Sequence, residues 1–162
     1  MCIRDRHDGA RVVERALAHP NFRDELKKLE DLAAAEGSGS NDVQRAFFSV
    51  FRSVTRKWAR QELPEELVKE SWQDFRERVG TSVGKIFQAL HESATMGVFT
   101  SGGPIGSTVA SVLGLTDEQA LELAWVVQNA TLTELLFREG LASLKSFNVL
   151  PRLGSPELST YV

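Results

Sequence analysis

The residues Val98–Gly106 read VFTSGGPIG, and this stretch decides how the second half of the chain is interpreted. Its start belongs to a short apolar run, Gly97–Thr100, which is bounded by turn signals and predicts a buried strand. From Pro104 to Leu113 the pattern returns to helical spacing, and Gly114 is the residue type that commonly ends a helix. We therefore predict a strand, a glycine turn and a helix over residues 97–114.

The turn itself consists of Ser101, Gly102 and Gly103, and we compare three interpretations of it. In the first, the glycines serve packing alone, because a tight turn needs positive φ or a close backbone approach. In the second, the turn binds an anion, because backbone N–H groups and the positive end of the helix dipole face a phosphate. A hydroxyl at Ser101 adds one donor to such a site.

The third interpretation, a serine hydrolase with Ser101 as nucleophile, does not fit the surrounding sequence. The motif G-x-S-x-G has a glycine two residues before the serine, where this chain has Phe99. The fold that carries this motif also needs a histidine after the serine. All histidines of this chain precede Ser101, namely His7, His19 and His91.

The region before the turn, residues 8–93, is predicted to be helical. Two long apolar stripes recur at helical spacing there, and we assign both to core packing because any core-facing helix needs one. The first stripe contains Val43, Phe47, Val50, Phe51, Val54 and Trp58, and the second contains Trp72, Phe75, Val79, Val83, Ile86 and Leu90.

The region after the turn predicts one more helix and a hairpin. Thr116 and Gln119 have the spacing of a capping box, which starts a helix over 116–127. Residues 131–147 hold two β-prone runs joined by a loop that ends in Gly140, as in hairpins with a left-handed bulge residue. The predicted fold class is α/β with a large helical share.

Composition bounds the possible functions. The 162 residues suffice for one domain, and 42% hydrophobic with 25% charged residues is ordinary for a globular protein. A net charge of −3 without a dense basic run argues against nucleic-acid binding. No apolar run is long enough for a membrane span. The single cysteine, Cys2, excludes an intrachain disulfide and every paired-cysteine metal motif, and it fits a cytoplasmic protein. We expect no metal and no cofactor.

The first six residues, MCIRDR, do not resemble the start of a folded domain. We interpret residues 1–6 as a non-native leader and residues 7–162 as part of a single domain. On this interpretation Cys2 and Arg6 carry no functional weight, and the natural protein is expected to extend further upstream.

Taken together, the motifs resemble the histidine phosphatase superfamily, which includes the phosphoglycerate mutases. The resemblance covers about residues 8–158 and implies a three-layer phosphoglycerate mutase-like sandwich, of which this chain holds an incomplete, helix-rich part. It is carried by a helix motif at Glu70–Val79, the turn at Val98–Ile105, Leu113–Leu115, Trp125–Thr133, and Ser146–Asn148.

The resemblance implies phosphoryl transfer on a small phosphate ester. In the family, a histidine of an R-H-G motif attacks phosphorus, arginines and a second histidine hold the phosphate oxygens, and an acid protonates the leaving oxygen. It places Ser101 at the position of the second histidine, followed by Gly102. We therefore expect Ser101, Gly102 and Gly103 to bind phosphate.

Two departures from the family pattern bear on activity. No R-H-G triplet occurs in this chain, and Arg6 stands where His7-Asp8-Gly9 would place the family acid. We therefore expect an N-terminally truncated chain that is inactive by itself, derived from a phosphatase or mutase. The alternative is a non-catalytic phosphate-binding or interaction domain of the same fold, because Ser101 replaces a histidine. A sheet edge left open is also expected to favour self-association.

Overall fold

A computed structural model describes residues 18–24, 27, 30, 31, 40–91, 94–138 and 140–150. These residues belong to two compact units, which are divided between Trp72 and Gln73. Among them, no helix is long and apolar enough to cross a membrane. The predicted helices before residue 40 lie mostly outside the described residues, although residues 23, 24, 27, 30 and 31 are helical.

The first unit is organised around helix α1, Ser40–Ala59. Two short 3₁₀ turns, Pro20–Phe22 and Glu65–Leu67, accompany it. The apolar stripe of α1 forms the core as predicted, except that Phe47 remains 41% exposed. The side chain of Val43 lies outside the described residues. Core residues of this unit are Phe22, Val50, Val54, Leu63 and Leu67, with Phe51, Trp58 and Val68 packed against them.

The described part of the second unit contains three helices: α2, Trp72–Ala89, of which all but Trp72 belongs to this unit; α3, Gly102–Leu113; and α4, Asp117–Val126. The predicted ends of α3 and α4 are confirmed by their caps. Gly114 ends α3 in the left-handed conformation at φ 67°. At the start of α4, Thr116 Oγ1 accepts from the Gln119 N–H while Gln119 Oε1 accepts from the Thr116 N–H, so each satisfies a backbone donor of the other.

The predicted hairpin is confirmed as strands β1, Leu132–Arg138, and β2, Leu141–Val149, which pair antiparallel. Gly140 has φ 74°, the left-handed conformation that the loop requires. Ring stacking of Phe137 on Phe87, with centroids 4.3 Å apart, packs the hairpin on α2. The combination of helices with a small sheet confirms the α/β fold class.

The predicted buried strand at 97–100 is wrong. Residues 94–101 are irregular, and Val98 and Phe99 are 45% and 85% exposed. A strand is defined by a hydrogen-bonded neighbour, and among the described residues the only sheet is the β1–β2 pair. The apolar composition of VFT therefore indicates β-propensity, but the described part of the chain supplies no strand beside it.

Candidate functional site

The glycine turn forms the N-terminus of α3. Ser101 is the N-cap residue, with extended backbone at φ −99° and ψ 175°, and Gly102 and Gly103 are the first two helical residues. The Ser101 hydroxyl makes no capping hydrogen bond to the helix. The first bond of the helix runs from the Ile105 N–H to the Ser101 carbonyl, at 3.3 Å. All three predicted site residues are therefore contiguous and half-buried at one helix end.

This helix end has the electrostatics that an anion requires. The first N–H groups of a helix have no carbonyl partner within it, and here they belong to Gly102 and Gly103, since Pro104 has no N–H. The helix dipole places positive potential at the same end. No acidic residue lies in the first turn of α3, so no carboxylate of that turn opposes a bound anion.

Close packing explains two glycines of α3 independently of any ligand. A Cβ on Gly102 would lie 2.6 Å from the Ala124 carbonyl oxygen, and a Cβ on Gly106 would lie 2.5 Å from that of Ala120. The missing side chains thus let α3 approach the backbone of α4. The packing interpretation of Gly102 is therefore supported by geometry, whereas the phosphate interpretation depends on the direction of its N–H.

The residues that precede the turn combine an exposed ring with a buried hydroxyl. Phe99 presents its side chain to solvent immediately before the site. The Thr100 Oγ1 atom is buried and has no hydrogen-bond partner among the described residues. A buried hydroxyl without a partner costs free energy, about 1–3 kcal/mol.

The structure does not bring a histidine into the described turn. His91 is exposed just beyond the end of α2, and His19 belongs to the other unit, where its Nε2 lies 3.7 Å from Glu66 Oε1. His7 and Arg6 lie outside the described residues. Within the part of the chain that the structure describes, no three histidine, cysteine or acidic side chains are grouped as metal ligands would be.

Arg76 is a polar residue that the sequence alone did not single out. Its guanidinium donates to Asp117 Oδ1 at 2.7 Å and to Ser111 Oγ at 2.8 Å. One side chain of α2 thereby bonds to the end of α3 and the start of α4. Because these partners lie at the end of α3 opposite to Ser101, Arg76 fixes the helices and does not form part of the turn.

Asn148 is a second residue whose role sequence analysis missed. It belongs to the motif at Ser146–Asn148, and its side-chain amide bonds to the backbone at the end of α4. Its left-handed backbone, at φ 55°, is common for asparagine, but the sequence has no local signal for contacts 20 and 22 residues away.

A groove of about 400 Å³ lies elsewhere in this unit. Its walls include Val79 and Phe87 of α2, Thr108 of α3 and Leu141 of β2. None of the turn residues 101–103 lines it, so the groove is separate from the candidate phosphate site.

On the hairpin, Glu134 and Lys145 pair across the strands, with Lys145 Nζ donating to Glu134 Oε1 at 3.2 Å. Hydrogen bonds from Lys145 and from Ser146, together with the charge of Lys145, lower the pKa of the Glu134 carboxyl. The pair is solvent-exposed and lies on the strands, so it belongs to the sheet and not to the turn.

Comparison with known protein families identifies the fold. The family model of the histidine phosphatase superfamily (branch 1) matches residues 10–150. The chain belongs to this superfamily. The match spans the motifs at 70–79, 98–105 and 113–148, so it confirms the resemblance inferred from them. No curated protein and no solved structure gives a significant match. The helices and hairpin described above are thus part of a histidine phosphatase α/β fold.

Proposed function

We propose that residues 101–103 bind the phosphate group of a small phosphorylated substrate. The observation that carries this proposal is the N-terminus of α3, where two glycine N–H groups without helical partners follow the extended N-cap residue Ser101. Membership of the histidine phosphatase superfamily supports the same ligand class. In this arrangement the N–H groups and the hydroxyl donate to phosphate oxygens, and the helix dipole favours their negative charge.

For the reaction, we propose that the chain is the C-terminal part of a phosphatase or mutase that works through a phosphohistidine. A histidine nitrogen forms a bond to phosphorus while the ester P–O bond breaks, and the leaving oxygen takes a proton from an acid. Water or a second substrate then takes the phosphoryl group. This sequence holds no R-H-G triplet, so the nucleophile is assigned to a segment outside these 162 residues, and the chain alone is expected to be inactive.

A second candidate function is favoured by one residue. Ser101 stands where the family resemblance expects a histidine, and a hydroxyl can donate a hydrogen bond but cannot carry positive charge. A protein that binds phosphate without turning it over would tolerate this exchange. The alternative is therefore a non-catalytic phosphate-binding domain that uses the same turn.

Phosphate binding is tested by titrating inorganic phosphate into ¹⁵N-labelled chain. Charge-assisted hydrogen bonds contribute about 1.5–3 kcal/mol each, and two or three of them, less the cost of holding the ion, give a millimolar Kd at best. We expect the Gly102 and Gly103 amide signals to shift, and Ser101→Ala to weaken the response. Ser82→Ala is the matched control, since among the described residues its hydroxyl donates within α2, to Arg78 O.

The outcome that contradicts the site is equally direct. A site with a millimolar Kd is occupied at tens of millimolar phosphate. If the Gly102 and Gly103 amide signals stay unchanged at that concentration, residues 101–103 do not bind phosphate and serve packing alone. If Ser101→Ala and Ser82→Ala weaken the phosphate response of the glycine amides equally, the Ser101 hydroxyl does not contact phosphate. The backbone N–H groups would then be the donors of the site.

Activity separates the two candidate functions. The chain alone is expected to leave p-nitrophenyl phosphate and sugar phosphates unchanged. A longer natural form with an R-H-G segment is expected to hydrolyse one of them and to lose that activity when its histidine is replaced. A longer form that binds phosphate without any turnover would support the binding domain instead.

We also propose that the chain self-associates through the hairpin. Each strand has one neighbour among the described residues, and the outer apolar side chains are exposed, with Leu132 at 54%, Leu136 at 57% and Leu141 at 68%. Leu136 and Arg138 lie on one face of β1, and Leu141 is paired with Arg138. An open edge beside exposed apolar side chains favours pairing with a second chain.

A further inference from the structure

The side-chain amide of Asn148, at the end of β2, holds the backbone on both sides of one residue. Its Nδ2 donates to the Val126 carbonyl at 2.7 Å, and its Oδ1 accepts from the Gln128 N–H at 2.9 Å. Val127 lies between these two partners. The first bond satisfies a carbonyl at the end of α4, and the second fixes the chain as it leaves the helix.

Val127 packs on the first residue of α3. It is 5% exposed, and its Cβ lies 3.5 Å from the point where a Cβ would stand on Gly102. The Ala124 carbonyl, one turn earlier in α4, lies 2.6 Å from the same point. Gly102 therefore rests on the Ala124 backbone and on the Cβ of Val127, and Asn148 bonds to both chain neighbours of Val127.

The conformation of Asn148 indicates that its side chain is the required feature. Its φ is 55°, a left-handed conformation that glycine adopts without steric cost. Asparagine adopts this conformation at some steric cost. If the position required only the left-handed backbone, glycine would fill it at lower cost. Thr133 Oγ1 accepts from the Asn148 N–H at 3.2 Å and holds the residue in register with β1.

We propose that Asn148 is a positioning residue for the phosphate-binding turn. By fixing Val126 and Gln128, it sets Val127 against Gly102 and thereby sets the direction of the Gly102 and Gly103 N–H groups. The role of those N–H groups in binding rests on the phosphate site proposed above. The packing that orients them is independent of that site, because it involves only protein atoms.

The test uses Asn148→Asp in the full chain. The carboxylate keeps the side-chain shape and the acceptor for Gln128 N–H, but it cannot donate to the Val126 carbonyl. We expect the Gly102 amide signal to shift without ligand, and the Kd for inorganic phosphate to rise about fivefold, the factor for weakening one hydrogen bond. The control is Ser146→Ala, two residues earlier on β2, which loses a 3.0 Å bond to Glu134.

A Gly102 signal that shifts in Asn148→Asp but not in Ser146→Ala supports positioning, provided that both variants melt cooperatively. An unchanged Gly102 signal in folded Asn148→Asp overturns the proposal. If Asn148→Asp does not fold, Val127→Gly replaces it, since it removes the Cβ that contacts Gly102 and leaves the backbone partners of Asn148 in place. Gly102 must then shift, and an unchanged signal overturns the proposal.

Failure of the phosphate site gives a different result. In that case the wild-type chain shows no response to phosphate, while the unliganded Gly102 signal still moves in Asn148→Asp and Val127→Gly. Failure of the positioning role gives the reverse: the wild type responds to phosphate, and the variants respond with an unchanged Kd and an unchanged Gly102 signal.

Discussion

Replacing Gly106 by alanine tests the packing of α3 on α4. A Cβ at Gly106 would lie 2.5 Å from the Ala120 carbonyl oxygen, 2.7 Å from the Ala124 nitrogen and 2.9 Å from the Ala124 Cβ. The first two are backbone atoms of a helix, so no side-chain rotation can relieve the clash, and α4 must move.

The size of the effect follows from two opposing terms. Overpacking a close contact costs about 1–3 kcal/mol, whereas alanine gains about 1 kcal/mol over glycine in a helix. Because three atoms crowd the same point, we take the upper half of the cost and expect a net loss of about 1–2 kcal/mol. For a chain of this size that lowers Tm by about 2–4 °C per kcal/mol.

Gly80→Ala is the matched control for this experiment. Gly80 lies in α2, is exposed, and has no heavy atom within 4 Å of a built Cβ. The same substitution there should raise stability by about 0.5–1 kcal/mol through helix propensity alone. Urea unfolding followed by far-UV circular dichroism measures both. If Gly106→Ala is as stable as the wild type, or shifts in the same direction as Gly80→Ala, the close packing of α3 on α4 is refuted.

Two further predictions concern the hairpin. The bonded Glu134 carboxylate has a lowered pKa, so its stabilising contribution is present above the unfolded pKa and is lost as pH falls through the folded pKa. An NMR titration should place the Glu134 midpoint below the ordinary glutamate value, and Lys145→Met should raise it; an unchanged midpoint would contradict the pairing. Sedimentation velocity should show self-association that Leu136→Lys reduces, whereas a monomeric wild type at high concentration would exclude association through this face.

The elements that the sequence predicted correctly are those whose causes are local. Thr116 and Gln119 satisfy each other three residues apart, and Gly114 and Gly140 adopt the left-handed conformation that their turns require. The strand at 97–100 could not be predicted in the same way. Its residues have high β-propensity, but a strand forms only beside a second, hydrogen-bonded strand. The composition of residues 97–100 does not indicate whether such a strand is present.

The glycine pattern predicted a turn at 101–103 and a helix from Pro104, whereas the helix begins two residues earlier, at Gly102. Phosphate binding by residues 101–103 stays a prediction. The roles of Asn148 and Arg76 depend on partners 20 to 41 residues away, and no spacing rule links such positions. The family motifs carried more of the identification than any single site residue, because their order along the chain is what the superfamily match over 10–150 reproduces.

The packing and the phosphate interpretations of Gly102 are compatible, because they use different parts of the residue. Packing requires that no side chain lie between Gly102 and Ala124. Phosphate binding uses the Gly102 N–H, which has no carbonyl partner within the helix. Gly106 shows the difference: it meets the same packing requirement one turn later, where its N–H lies within the helix. A glycine in this turn is therefore not evidence for a ligand, and Gly102→Ala could not test one. The test must come from the donors, the Ser101 hydroxyl and the two glycine amides.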